Sequence, residues 1–96
     1  MLFALICEDK PDGLELRLAT REQHLAYVGT VGDRIRLAGP MLSDDGERML
    51  GSLFLVEADS ADEVAALNAA DPYTKAGLFE RVTIRGFRQV VPAPGK

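Results

Sequence analysis

The chain has one histidine, one cysteine and no tryptophan in 96 residues. One cysteine excludes an internal disulfide. One cysteine with one histidine leaves no ligand set for a zinc site. Cys7 ends an apolar segment, where a buried, inert thiol is the ordinary case. Long hydrophobic runs are also missing. The most apolar segment, Leu2–Cys7, is far shorter than the roughly 20 residues of a membrane-spanning helix. It has no basic leader, and Glu8-Asp9-Lys10-Pro11-Asp12 follows at once, so it does not read as a signal peptide. A cytoplasmic protein is the default expectation, with no membrane partner. Basic residues are few and scattered: 11 Lys and Arg stand against 15 Asp and Glu, a net charge of −4. Without a Lys/Arg cluster there is no footprint for a phosphate backbone, and no nucleic-acid partner is expected. Gly29, Gly32 and Gly39 lack the strand–turn–helix context of a phosphate loop.

What is present is a foldable single domain. A hydrophobic share of 47% excludes a disordered chain. Leu2–Cys7 reads as a strand with two apolar faces, one formed by Phe3, Leu5 and Cys7 and the other by Leu2, Ala4 and Ile6. Such a strand is covered on both sides. Pro11–Leu18 reads as a short helix or turn. Thr20, with Gln23 three residues on, has the form of a capping box that starts a better helix running to about Gly32. Arg21, Leu25, Val28 and Gly32 share one stripe of it, with His24 and Val31 beside them. Arg34–Leu42 follows as a strand bent near Gly39-Pro40. Pro40 supplies no N–H and so belongs at an edge or bulge. A hairpin loop, Ser43–Glu47, leads to a third strand, Met49–Glu57. Gly51 inside that strand marks a close approach by another group. Ser60 and Glu63 form the capping box of a second helix. Val64, Leu67, Asn68 and Asp71 make its inward stripe. Pro72 ends it and suits the first turn of a short helix over Tyr73–Gly77. Phe79–Val91 is the last strand. The order β-α-β-β-α-β is the ferredoxin-like arrangement, an α+β fold with two helices on one face of an antiparallel sheet. Residues 1–91 form the domain and 92–96 a flexible tail. An uncovered apolar sheet face marks an interface, so a homodimer packed sheet against sheet is expected, alone or within a higher assembly.

The candidate chemistry centres on His24 and Asp71. An imidazole titrates near neutral pH and suits general acid–base work. Both helices lie on one sheet face, so an aspartate on one can meet a histidine on the other. Each residue also has a plainer reading: His24 as an idle helix histidine, Asp71 as the N-cap of the turn after Pro72. The two roles of Asp71 are compatible, because a carboxylate has two oxygens. Ser52 reads as a small strand residue that leaves room above the sheet, or as a donor to a ligand. Arg17 and Arg21 read as solvated helix arginines or as anion ligands. Tyr73 reads as core or as pocket wall.

The combination resembles the YciI-like (YCII-related) family of small bacterial proteins. The matching pieces are Leu2–Cys7 with Asp9-Lys10, Leu16-Arg17-Leu18 with Arg21, His24 and Leu25, then Ala38-Gly39-Pro40, Gly51-Ser52 and Ala70-Asp71-Pro72-Tyr73. The resemblance runs from Met1 to about Val90 and rests on the order and spacing of these pieces. It implies a ferredoxin-like fold in a dimeric α+β barrel and an active site centred on His24 and Asp71. Arg21, Gly39, Pro40, Ser52 and Tyr73 map to the neighbouring, substrate-binding wall. Related dimeric barrels include isomerases, dehydrochlorinases and cofactor-free oxygenases acting on small cyclic or aromatic compounds. The resemblance thus implies a small-molecule enzyme doing proton-transfer chemistry, of isomerase, lyase or dehydrochlorinase type, with no cofactor or metal. A non-catalytic metabolite-binding or accessory module is the alternative.

Overall fold

The computed structural model describes residues 1–93. Part of the expected tail, residues 94–96, lies outside them. The elements are β1 (Leu2–Asp9), α1 (Leu14–Val31), a 3-10 turn (Gly32–Arg34), β2 (Ile35–Leu42), β3 (Met49–Glu57), α2 (Ala61–Ala69), α3 (Pro72–Lys75) and β4 (Phe79–Phe87). The strands form one antiparallel sheet in the order β2-β3-β1-β4. This is the ferredoxin-like fold. Pro40 sits on β2, an edge strand, where its missing N–H costs no ladder bond on the outer side.

Alternation sorts each strand onto two faces. Phe3, Leu5 and Cys7 of β1 and Phe54 and Val56 of β3 are buried, and they pack with Val64 and Leu67 of α2 into one core. Leu2, Ala4 and Ile6 alternate with them. The register places Ala4 opposite Leu55 and Ile6 opposite Leu53, and this second face is half-buried and, among the described residues, carries no helix. Gly51 is required where β3 meets β1. A Cβ there would lie 2.2 Å from the carbonyl oxygen of Cys7.

α1 differs from the expectation. It is one helix from Leu14, and Thr20 lies inside it, buried, rather than capping it. The start is set earlier by a tight turn. Gly13 N–H bonds to the Lys10 carbonyl at 3.1 Å, and Asp12 takes φ 61°. Pro11 suits the preceding turn position, and the chain then leads directly into the helix. The inward stripe is therefore Arg17, Thr20 and His24, flanked by the half-buried Val28 and Val31, while Arg21, Leu25 and Gly32 are exposed. Leu25 is 53% exposed. A polar inward stripe is what a helix shows when part of its length roofs a pocket instead of packing on the sheet.

α2 follows its pattern. Ser60 Oγ accepts from Glu63 N–H at 3.3 Å, and Val64, Leu67, Asn68 and Asp71 are all buried. β4 ends at Phe87, short of Val91. Phe87 pairs with Leu2, the first residue of β1, and beyond it no strand remains to pair with. Among the described residues, no helix is long and apolar enough to cross a membrane.

Candidate active site

Five segments meet above the helix-side face of the sheet: the end of β1, the middle of α1, the Gly39-Pro40 stretch of β2, the first half of β3 and the α2–α3 junction. Each is placed by local rules. α2 ends at Ala69, and the turn after it carries Asp71 inward, extended as the residue before Pro72, so that α3 can begin. Asp71 then caps α3, accepting from Tyr73 N–H at 2.9 Å. The same carboxylate takes the Nδ1–H of His24, at 2.9 Å to Oδ1 and 3.1 Å to Oδ2. Asp71 is 2% exposed and His24 8%. Both readings of Asp71, cap and partner of His24, hold at once.

A carboxylate accepts, so Nδ1 carries a proton, and in the tautomer this fixes the ring's lone pair lies on Nε2. Nε2 makes no protein hydrogen bond, yet no buried side-chain nitrogen or oxygen among the described residues lacks a partner. Nε2 is therefore accessible, and the space it reaches is a cavity of about 240 Å³. The His24 ring is held from the side by Tyr73, stacked at 4.0 Å between centroids and 14° between planes. Phe54 meets it edge-on at 6.0 Å.

Arg21, Gly39, Pro40, Ser52 and Tyr73 all line this cavity with His24, while Asp71 stands behind the histidine. Arg17 also lines it, although the sequence left it as a possible solvated arginine. It is 3% exposed. Its Nε and Nη2 donate to the two carboxylate oxygens of Asp9 at 2.8 and 2.9 Å, and Nη2 donates again to Ser52 Oγ at 2.9 Å. The guanidinium also lies 4.8 Å from the Tyr73 ring centroid. Burial works against this charge, but the hydrogen bonds and charge of Asp9 outweigh it and raise the Arg17 pKa above its ordinary value. The available signal was the short spacing of Asp9, Arg17 and the turn between them, which lets a helix arginine reach back to the strand end.

A wider, more open hollow of about 870 Å³ lies around the start of β1, lined by Met1, Leu2, Arg36, Glu57 and Phe87 among others. Its charged groups include the exposed pair Arg36–Glu57, open to water and unsuited to acid–base work.

Cys7 plays no part in the cavity. It is fully buried, and its thiol donates to Asn68 Oδ1 at 3.6 Å. Burial, then the charges of Asp71 and Asp9, push its pKa up to about 12 against the opposing effect of Arg17. The native protein should therefore resist iodoacetamide at pH 8 and react once denatured, as read by intact mass. The sign for stability follows from linkage. The raised folded pKa contributes stability that is complete below the unfolded thiol value near 8.5 and is lost as pH climbs toward 12.

The comparisons with known proteins agree with this architecture. Residues 1–88 match the YCII-related domain. Protein YciI of Escherichia coli O6:H1 is 37% identical over 97 residues, covering 94% of this chain and 99% of the relative. An uncharacterized protein of Haemophilus influenzae is 32% identical over the same shares of both chains. Among solved structures, 5-chloro-2-hydroxyhydroquinone dehydrochlorinase (TftG) of Burkholderia phenoliruptrix, in complex with 2,5-dihydroxybenzoquinone, aligns with a TM-score of 0.85 and 35% identity, over 93% of this chain and 95% of that one. On this match and these relatives, the chain belongs to the YCII-related domain family.

Proposed function

We propose that the protein is an enzyme of proton-transfer chemistry on a small cyclic or aromatic compound, with His24 as general base and acid. One observation carries the reading: Nδ1 of His24 is fixed by a buried carboxylate while Nε2 opens into a small cavity. Asp71 holds the tautomer and stabilises the imidazolium once a proton arrives, the orienting role an aspartate plays beside a catalytic histidine. The volume, about 240 Å³, suits a single ring and is below the size of drug-binding clefts. TftG, of the same fold and 35% identical, is a dehydrochlorinase. Loss of hydrogen chloride is removal of a proton with departure of chloride, which one base in a partly dry pocket can promote.

The test is chloride release from 5-chloro-2-hydroxyhydroquinone by wild type and His24→Gln. The variant should lose at least about 100-fold in turnover with its circular dichroism unchanged. Turnover that survives the substitution would remove His24 from the mechanism. Binding of 2,5-dihydroxybenzoquinone without any turnover by wild type would turn the reading to a binding module.

The same proposal includes a homodimer. The helix-free face formed by Ala4, Ile6, Leu53 and Leu55 is apolar and central to the sheet. Buried against a second copy it would leave water, at roughly 25 cal/mol for each Å² of apolar area. Sedimentation should show a dimer at micromolar concentration, and Ile6→Arg should shift it to monomer. A wild-type protein that sediments as a monomer would refute the dimer.

A further inference from the structure

The acid–base reading uses His24 and Asp71 but leaves the other polar groups of the cavity without a task. We infer that the cavity takes its substrate as an organic anion, a planar ring bearing a negatively charged oxygen, and that Arg17, Ser52 and Tyr73 form the subsite for that oxygen. This rests on the same cavity being the substrate site.

The donor inventory carries the argument. A guanidinium has five N–H groups and no acceptor. Three of those of Arg17 are used, two on Asp9 and one on Ser52. The guanidinium also donates toward the Tyr73 hydroxyl oxygen, so its charge stands directly behind the two hydroxyl-bearing side chains that line the cavity. Ser52 is 3% exposed and accepts from Arg17, so its own hydroxyl proton remains to be donated. The Tyr73 hydroxyl likewise has no protein acceptor and borders the cavity. Burial raises its pKa above the ordinary phenol value, so it is a protonated donor at neutral pH. Arg17 acts on that phenol in the opposite sense, through its charge and a hydrogen bond to the phenol oxygen, which leaves the hydroxyl proton to be donated.

The lining has the same polarity throughout. It contains two arginines, Arg17 and Arg21, and no Asp or Glu. Asp9 and Asp71 both stand behind the wall, engaged with Arg17 and His24. Apart from Nε2 of His24, the polar side chains facing the ligand are donors. Hydrogen bonds to an anionic oxygen are among the strongest in proteins, and a guanidinium behind the donors adds the opposite charge. The complementary ligand is rich in acceptors and negatively charged. Arg21, one turn beyond Arg17 on α1 and exposed at the rim, adds attraction at the entrance.

The experiment is calorimetric titration with 2,5-dihydroxybenzoquinone, an anion at neutral pH, followed by competition with benzoate and with its neutral isostere benzamide. The quinone should bind wild type. Ser52→Ala and Tyr73→Phe should each weaken it about tenfold, the worth of one hydrogen bond to a charged group. Benzoate should displace it at concentrations at least about tenfold lower than benzamide. The preference for benzoate over benzamide should persist in His24→Gln, which separates this subsite from the acid–base reading. Absence of turnover in every protein, with the benzoate preference intact, would sink the acid–base reading and leave the subsite standing. The inference is overturned if the quinone does not bind, if both variants bind like wild type, or if benzamide competes as well as benzoate.

Discussion

Replacing Arg17 with Leu should cost about 3–5 kcal/mol, a large part of the roughly 5–15 kcal/mol that holds a domain of this size folded. The reason lies in what the substitution leaves behind. The Asp9 side chain is 4% exposed and receives two hydrogen bonds from the guanidinium. Without them a carboxylate stays buried against the strand end with no counter-charge. Removing both partners should be milder, because an apolar pair carries no desolvation penalty. The double variant Asp9→Leu/Arg17→Leu is therefore expected to be more stable than Arg17→Leu. Urea unfolding of the wild type, both single variants and the double variant gives the coupling energy directly. If Arg17→Leu unfolds within 1 kcal/mol of wild type, Asp9 is not held by this ion pair.

Asp71→Ala should destabilise by about 3 kcal/mol. Two losses add. The Tyr73 N–H loses its cap, worth about 1 kcal/mol, and the buried Nδ1–H of His24 loses its acceptor, at about 1–3 kcal/mol. Asp71→Asn isolates the charge. Asparagine caps well, so the stability loss should shrink to about 1 kcal/mol or less. Turnover should still fall tenfold or more, because an amide neither stabilises an imidazolium nor enforces one tautomer as a carboxylate does. Thermal melts and chloride release on the same two variants separate the roles. An Asn variant with wild-type turnover would leave Asp71 as a cap alone.

Much of the fold was legible because it is locally encoded. The element order, the N-cap at Ser60, the start of α3 at Pro72 and the edge placement of Pro40 each follow from backbone chemistry within a few residues. The 3.6-residue period of α2 pointed Asp71 inward, but α2 ends at Ala69, and it is as the extended N-cap of α3 that Asp71 brings its carboxylate to His24. The same local logic misplaced the start of α1. Thr20–Gln23 imitates a capping box, but the helix is begun by the turn at Lys10–Gly13, which depends on the φ of Asp12. The end of β4 was equally out of reach. Val90 and Val91 have strand character, yet a strand needs a neighbour and β1 starts at Leu2.

Arg17 marks the boundary most clearly. A lone arginine on a helix belongs in water, where its charge is hydrated at no cost. It is buried here because the β1–α1 turn folds it onto Asp9 and because strand pairing sets Ser52 beside Cys7, over the same spot. Ser52 is 35 residues away in the chain. The residue types and their periodicities lie in local order and can be read along the chain. Whether a charge finds a partner out of water depends on distances across the sheet, and those exist only once the strands have paired.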